Sequence, residues 1–106
     1  MSIYILPYKG IKSELMISDE EIQSHILHKL FRKKKFGGAH ISYEKIKRWI
    51  SGKIQGNGKR VDENLKSLIK EGIVLSKPTS YGLEISLNPK FSEEIISRIR
   101  RFYPQN

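Results

Sequence analysis

Basic side chains crowd the middle third of this 106-residue chain. Between His25 and Arg60 there are eleven Lys and Arg residues and one acidic residue, Glu44, which gives this segment a net charge of +10. Residues 1–24 sum to −2 and residues 61–106 to +1, for a total of +9. Because ammonium and guanidinium groups pair with phosphates, this concentration of charge favours a polyanionic partner.

Catalytic and metal-binding chemistry has little support in the sequence. The chain has no Cys, so it has no disulfide, no thiolate zinc ligand and no cysteine nucleophile. Gly52, Gly56 and Gly58 lack the spacing and the lysine of a phosphate-binding loop, and no paired carboxylates or Ser–His–Asp arrangement is evident. His25 and His28 share a helix face but lack further ligands nearby. We therefore expect no enzyme activity, no cofactor and no metal.

Helical periodicity predicts where the basic residues are carried. A first helix is expected to begin after Ser18, because Glu21 completes the spacing of a capping box, and to end at Gly37–Gly38. A second helix is expected over Tyr43–Gln55 and a third over Lys59–Glu71, joined by the turn Gly56-Asn57-Gly58. The apolar stripe of the third helix consists of Val61, Leu65, Leu68 and Ile69.

A hairpin and a last helix are expected after the third helix. Gly72 supplies a left-handed helix stop, and Ile73–Leu75 has the character of a strand. Pro78–Gly82 has turn residues, and apolar and polar residues alternate over Leu83–Leu87. We expect the Tyr81 ring to pack under the hairpin. A final helix is expected from about Ser92.

The order of elements over Tyr43–Leu87 resembles the winged helix-turn-helix superfamily, and in particular its small archaeal and viral regulators. The resemblance depends on the pattern Val61-x3-Leu65-x2-Leu68-Ile69-x2-Gly72-Ile73 and on the returning strand Tyr81–Leu87. It implies an α+β fold with a three-helix core, a β-hairpin wing and an extra C-terminal helix. We expect one domain, with an arm over residues 1–17, the core and wing over 18–91 and the C-terminal helix over 92–106.

The resemblance implies that the second helix braces the third, that the third enters the major groove and that the wing touches the DNA backbone. Six third-helix residues outside the apolar stripe are expected to face outward: Lys59, Arg60, Glu63, Asn64, Ser67 and Lys70. Four of them suit base-edge contacts: Arg60, Glu63, Asn64 and Ser67. Phosphate contacts are expected from Lys33, Lys34, Lys35, Lys45, Arg48, Lys53, Asn57, Lys59, Lys77, Thr79 and Ser80. For each residue alone, the alternative is a solvated surface with local salt bridges.

The last helix has more apolar residues on one side than a small core needs. They form a dimer seam or pack back on the first helix, and we leave both open: Ile95, Ile96, Ile99 and Phe102. We expect Trp49 to pack in the core rather than stack on bases.

The leading expectation is a cytoplasmic transcriptional regulator that binds specific sequences of double-stranded DNA, without a membrane segment. An RNA-binding or ribosome-associated protein is the first alternative, and a protein-interaction module is the second.

Overall fold

The four helices and the β-hairpin follow one another along the chain in the order that the periodicity predicts. The computed structural model describes residues 17–56 and 58–104, and these form four α-helices and a three-stranded antiparallel sheet. The elements are α1 (Asp19–Arg32), β1 (Ile41–Ser42), α2 (Tyr43–Ile54), α3 (Gly58–Lys70), β2 (Val74–Thr79), β3 (Gly82–Leu87), a 3-10 turn (Pro89–Phe91) and α4 (Ser92–Phe102). The predicted α+β class, with a hairpin after the third helix, is confirmed. Most of the expected arm, and Asn57, lie outside the described residues.

Helix α1 begins as expected but ends early. The Ser18 hydroxyl accepts a hydrogen bond from the Glu21 amide at 3.1 Å, which confirms the predicted cap. The helix stops at Arg32 rather than at Gly37–Gly38. Lys34 takes a left-handed φ of 57°, and the Lys35 amide donates to the Leu30 carbonyl at 3.0 Å. This closes the helix with the hydrogen-bond pattern that glycine usually supports.

The early end of α1 lets the following residues join the sheet. The Leu87 amide donates to the Lys35 carbonyl at 2.7 Å, and the Gly37 amide donates to the Leu87 carbonyl at 2.9 Å. If α1 continued to Gly37, the Lys35 carbonyl and the Gly37 amide would form hydrogen bonds within the helix and could not pair with β3. Pairing with β3 therefore overrides the helical periodicity of the basic run.

Helices α2 and α3 match their predicted bounds within one residue. The Ser42 hydroxyl caps α2 by accepting from the Lys45 amide at 3.2 Å, and Gln55 provides its left-handed end at a φ of 55°. Gly72 ends α3 at a φ of 84°, as predicted, and the Ile73 amide donates to the Leu68 carbonyl at 3.1 Å. Val61, Leu65 and Leu68 of the predicted α3 stripe are fully buried, and Ile69 is partly buried against the core.

The sheet has the order β1-β3-β2, so β2 is an edge strand. Val74 pairs with Leu87 at one end and Thr79 with Gly82 at the other, which leaves a two-residue turn at Ser80–Tyr81. The predicted turn over Pro78–Gly82 was too long. Pro78 lies within β2, where an edge position tolerates its missing amide hydrogen.

One core joins all four helices of the described residues to the hairpin. Its fully buried members include Ile22 of α1, Ile46 of α2, Leu65 of α3 and Ile85 of β3. Helix α4 packs against α1 and adds Ile95 and Ile99, at 0% and 8% exposure. Packing on the first helix, one of two alternatives for the last helix, thus accounts for these two residues.

The left-handed Lys34 yields a stability prediction. Lys34→Gly is expected to raise the free energy of unfolding by about 1 kcal/mol, because a residue with a Cβ is strained in this conformation. Urea denaturation of both proteins measures the difference. Lys34→Ala, which removes the charge and keeps the strain, should give no gain. An equal gain from both substitutions would mean that charge, and not backbone conformation, is responsible.

Candidate functional site

The outward face of α3 is mixed in charge. At about 100° per residue, the side of α3 opposite Leu65 presents exposed side chains over the full helix. They are Lys59, Glu63, Lys66, Ser67 and Lys70. Lys66 was not among the predicted contacts, and its ammonium lies 3.0 Å from the carboxylate of Asp62. We call these five residues, together with the β2–β3 hairpin, the α3–wing surface.

Two of the four predicted base-contacting residues do not lie on this surface. Asn64 is only 4% exposed, so it is not available for the base-edge contact that was expected of it. Its amide nitrogen donates to the Asp19 carboxylate at 3.0 Å and to the Arg60 carbonyl at 2.9 Å. Its amide oxygen accepts from Gln23 at 2.8 Å. A buried amide with all these partners is a structural residue.

Arg60 is turned toward α1 in the same way. One guanidinium nitrogen donates to the Ile17 carbonyl at 2.8 Å, and another lies 2.5 Å from the Asp19 carboxylate. The sequence contains a signal for this contact. Asp19 and Gln23 are four residues apart, as are Arg60 and Asn64, so each helix presents a polar pair on one side of its apolar stripe. The two pairs meet where α1 and α3 pack.

This polar contact continues into α4. The Gln23 amide oxygen accepts from Arg98 at 3.0 Å, and Arg98 also contacts Glu94 at 2.6 Å and Glu71 at 3.0 Å. Side-chain hydrogen bonds thus connect α1, α3 and α4. Two of the chain's arginines, Arg60 and Arg98, therefore make contacts within the protein.

A second contact fixes α3 against α2. The Tyr43 hydroxyl donates a hydrogen bond to the Asp62 carboxylate. This bond, with help from Lys66, holds the pKa of Asp62 below its usual value. Burial, followed by the hydrogen bond to Asp62, raises the pKa of Tyr43. Helix α3 is therefore held on both flanks, and only its outward face is exposed.

The hairpin offers fewer free polar groups than the sequence suggested. Thr79 uses its hydroxyl within the turn, where it donates to the Gly82 carbonyl at 2.7 Å and accepts from the Tyr81 amide at 3.1 Å. Lys77 is exposed but lies opposite Glu84 in the strand register. Ser80 is exposed, and Tyr81 is 97% exposed, so the expectation that its ring packs under the hairpin was wrong.

The other predicted phosphate contacts lie mostly on a different part of the protein. Three ammonium groups lie over the ring of Trp49: Lys29, Lys33 and Lys45, at 4.5, 4.9 and 5.3 Å from its centroid. Trp49 packs against the core while remaining half-buried, so the expected core position holds only in part. We call the cavity beside Trp49, between α1 and α2, the α1–α2 pocket.

Four other basic residues were predicted to contact phosphate: Lys34, Lys35, Arg48 and Lys53. Lys53 lines the α1–α2 pocket, and its ammonium lies 6.0 Å from the centroid of the Tyr103 ring. Lys34 and Arg48 are exposed, and Lys35 is half-buried beside the sheet. The basic residues between His25 and Arg60 therefore do not form one continuous surface.

The histidines contact an aromatic ring. Tyr103 stacks on His28 with the ring centroids 3.8 Å apart, and its hydroxyl is hydrogen-bonded to Nδ1 of His25. Within residues 17–56 and 58–104, no three His, Asp or Glu side chains come together as a possible metal site. None of the helices in those ranges is long and apolar enough to cross a membrane.

The predicted dimer seam is reduced to a smaller set of residues. Ile95 and Ile99 are buried in the core. Ile96 and Phe102 are half-buried at the surface near Phe31, which is 38% exposed. A homodimer through this remaining patch stays a prediction.

No protein-family model, curated protein sequence or solved structure matches this chain.

The contacts of Asp19 generate a pH prediction. Hydrogen bonds from Asn64 and then Arg60 lower the pKa of Asp19, although partial burial opposes them. A carboxylate with a lowered pKa contributes stability above its unfolded-state pKa, and this contribution is lost as the pH falls through the folded-state value. Between about pH 5 and pH 2, the wild-type protein should therefore lose more stability than Asp19→Asn.

Denaturant titrations at several pH values measure this difference. Glu20→Gln removes one charge from the same helix turn without removing a partner of Arg60 or Asn64, and serves as the control. Parallel pH profiles for the wild-type protein and Asp19→Asn would contradict the assigned role of Asp19.

Proposed function

We propose that this chain is a winged helix-turn-helix protein that binds double-stranded DNA through the α3–wing surface and acts as a transcriptional regulator. The observation that carries the proposal is the way α3 is held. Its apolar stripe and both polar flanks are used for packing, while one face stays exposed from Lys59 to Lys70. A hairpin with an exposed tip follows directly.

The dimensions of α3 suit the DNA major groove. Thirteen residues, Gly58–Lys70, give a helix about 20 Å long, and the major groove of B-DNA admits an α-helix. Glu63 and Ser67 are the outward polar residues from the predicted base-contacting set, since a carboxylate accepts from cytosine N4 and a hydroxyl can donate or accept. Lys59 and Lys70 flank them as phosphate contacts.

Selection from a random pool of DNA duplexes, with structured RNA as competitor, tests the proposal. An enriched DNA motif is the expected result, and a palindromic motif would add two-fold symmetry. Preferential recovery of the RNA would favour the RNA-binding alternative. Absence of nucleic-acid binding at low salt would overturn the proposal in favour of a protein-interaction module.

Removal of outward charge on α3 should weaken binding to all duplexes alike. Lys59→Gln combined with Lys70→Gln is expected to lower the slope of log affinity against log salt by about two, because two fewer counterions are released. Fluorescence anisotropy over a salt series measures the slope. Lys90→Gln with Arg100→Gln removes two exposed cations elsewhere and should leave the slope unchanged. Equal losses in both double variants would indicate a diffuse charge effect.

Glu63 provides a separate test of base reading. Glu63→Gln removes a negative charge from the α3–wing surface, so affinity for random duplex should rise. Preference for the selected motif should fall by about 1–3 kcal/mol at one base position, since the cytosine contact changes. Competition binding with single-base variants of the motif measures both effects. A uniform rise for all sequences would show that Glu63 does not read a base.

A further inference from the structure

The α1–α2 pocket concentrates positive charge next to aromatic rings. It has a volume of about 450 Å³, within the range of about 300–1,000 Å³ that is usual for small-molecule sites. Four cationic side chains line it: Lys29, Arg32, Lys33 and Lys53. Among the residues that the structure describes, no carboxylate lines the pocket. The positive charge of this pocket is therefore not neutralised by its own walls.

The ion pairs of the described residues support the same conclusion. The carboxylates of Asp19, Glu44, Asp62, Glu71 and Glu94 pair with basic residues outside the pocket. Glu21 does not line the pocket, although its carboxylate lies 3.6 Å from Nε2 of His25, which does. Inside it, the ammonium groups of Lys29 and Lys33 lie over the Trp49 ring instead of beside an acid. A cation held over a ring keeps its charge, and several such cations close together repel one another. A bound anion would relieve this repulsion.

His28 and Tyr103 form a fixed wall of the pocket. Tyr103 is stacked on His28 and hydrogen-bonded to His25, so its ring is held from two directions. Partial burial, then Arg32, Lys53 and Lys29, lower the pKa of His28. Burial is the larger cause, and the three cations add to it because a charged imidazole beside them is disfavoured.

The pocket lies on the opposite side of α2 from α3. Ser51 and Lys47 face Gly58 at the start of α3, where a Cβ on Gly58 would lie 3.5 Å from the Ser51 hydroxyl and 3.1 Å from Lys47 Cε. Trp49 and Lys53 face the pocket. At about 100° per residue, Trp49 and Ser51 project from α2 about 160° apart. A ligand in the pocket would therefore not lie on the α3–wing surface.

We propose that the α1–α2 pocket is a binding site for a ligand that carries two or more phosphate charges. Arg32 supplies the planar fork that suits phosphate oxygens, and the lysines supply point charges around it. A single carboxylate would leave most of these cations unpaired, which favours the more highly charged group. The phosphate comes either from a free phosphorylated compound or from a nucleic-acid backbone. The pocket does not depend on the function proposed for α3.

Calorimetric titration of the full chain with inorganic pyrophosphate tests the site. The wild-type protein should bind pyrophosphate, and Lys33→Gln with Lys53→Gln should weaken binding by at least about tenfold, because two charge-assisted contacts are lost. Lys59→Gln with Lys70→Gln removes the same charge from α3 and should change the affinity by less than about twofold. Both substituted pairs are exposed, and thermal melts confirm folding. Equal losses in both variants, or no binding to the wild-type protein, would overturn the proposal.

The histidine ring gives a second readout that general charge loss would not reproduce. An anion bound in the pocket should raise the pKa of His28, because it would offset the positive charge of Arg32, Lys53 and Lys29. The position of the Tyr103 ring beside His28 should not change. An NMR titration with and without pyrophosphate measures this rise, which should vanish in Lys33→Gln with Lys53→Gln. A His28 pKa unaffected by pyrophosphate would show that the anion binds elsewhere.

A duplex-binding assay with the same variants separates the two phosphate sources. If Lys33→Gln with Lys53→Gln weakens duplex binding as strongly as pyrophosphate binding, the pocket holds nucleic-acid phosphates. If duplex binding is unchanged, it holds a free phosphorylated ligand. Both results are consistent with a phosphate-binding site in the pocket. Loss of duplex binding only in Lys59→Gln with Lys70→Gln bears on the function of α3 alone, so the two proposals fail independently.

Discussion

The buried amide of Asn64 determines which side of α3 reaches solvent. Burial of Val61, Leu65 and Leu68 turns one side of α3 to the core, but apolar contacts are not directional and leave the helix some freedom to rotate about its axis. Asn64 removes that freedom, since its nitrogen and oxygen must both find partners, and they find them on Asp19 and Gln23 of α1. No buried side-chain nitrogen or oxygen in the described residues lacks a partner. The orientation of Lys59, and with it the outward face, follows from this constraint.

Charge is distributed unequally once the helices are packed. On α3, Glu63 stands among the outward lysines and Asp62 pairs with Lys66, so the net positive charge of that surface is modest. The α1–α2 pocket has cations without carboxylates in its described lining. Of the eleven basic residues between His25 and Arg60, four line the α1–α2 pocket and one, Lys59, lies on the α3–wing surface, a distribution that a linear count of charge does not show.

Helix α4 connects the core to the pocket. Ile95 and Ile99 fill the space beside α1, which orders the chain up to Tyr103, where the ring meets His28 and His25. Arg98 on the other side of α4 joins the polar contacts of α1 and α3. A single terminal helix therefore stabilises both the orientation of α3 and a wall of the α1–α2 pocket.

Local sequence determined the elements. The cap at Ser18, the glycine stop at Gly72 and the apolar stripe of α3 are short-range signals, and each was predicted where it occurs. The end of α1 and the length of the hairpin turn were not, because both depend on pairing with β3. For the candidate site, the sequence identified Lys59, Glu63, Ser67 and Lys70 as outward residues, but placed Arg60 and Asn64 with them. Only the tertiary structure decides such cases, since a polar residue at the edge of an apolar stripe faces water or a neighbouring helix according to the partner that packing brings to it.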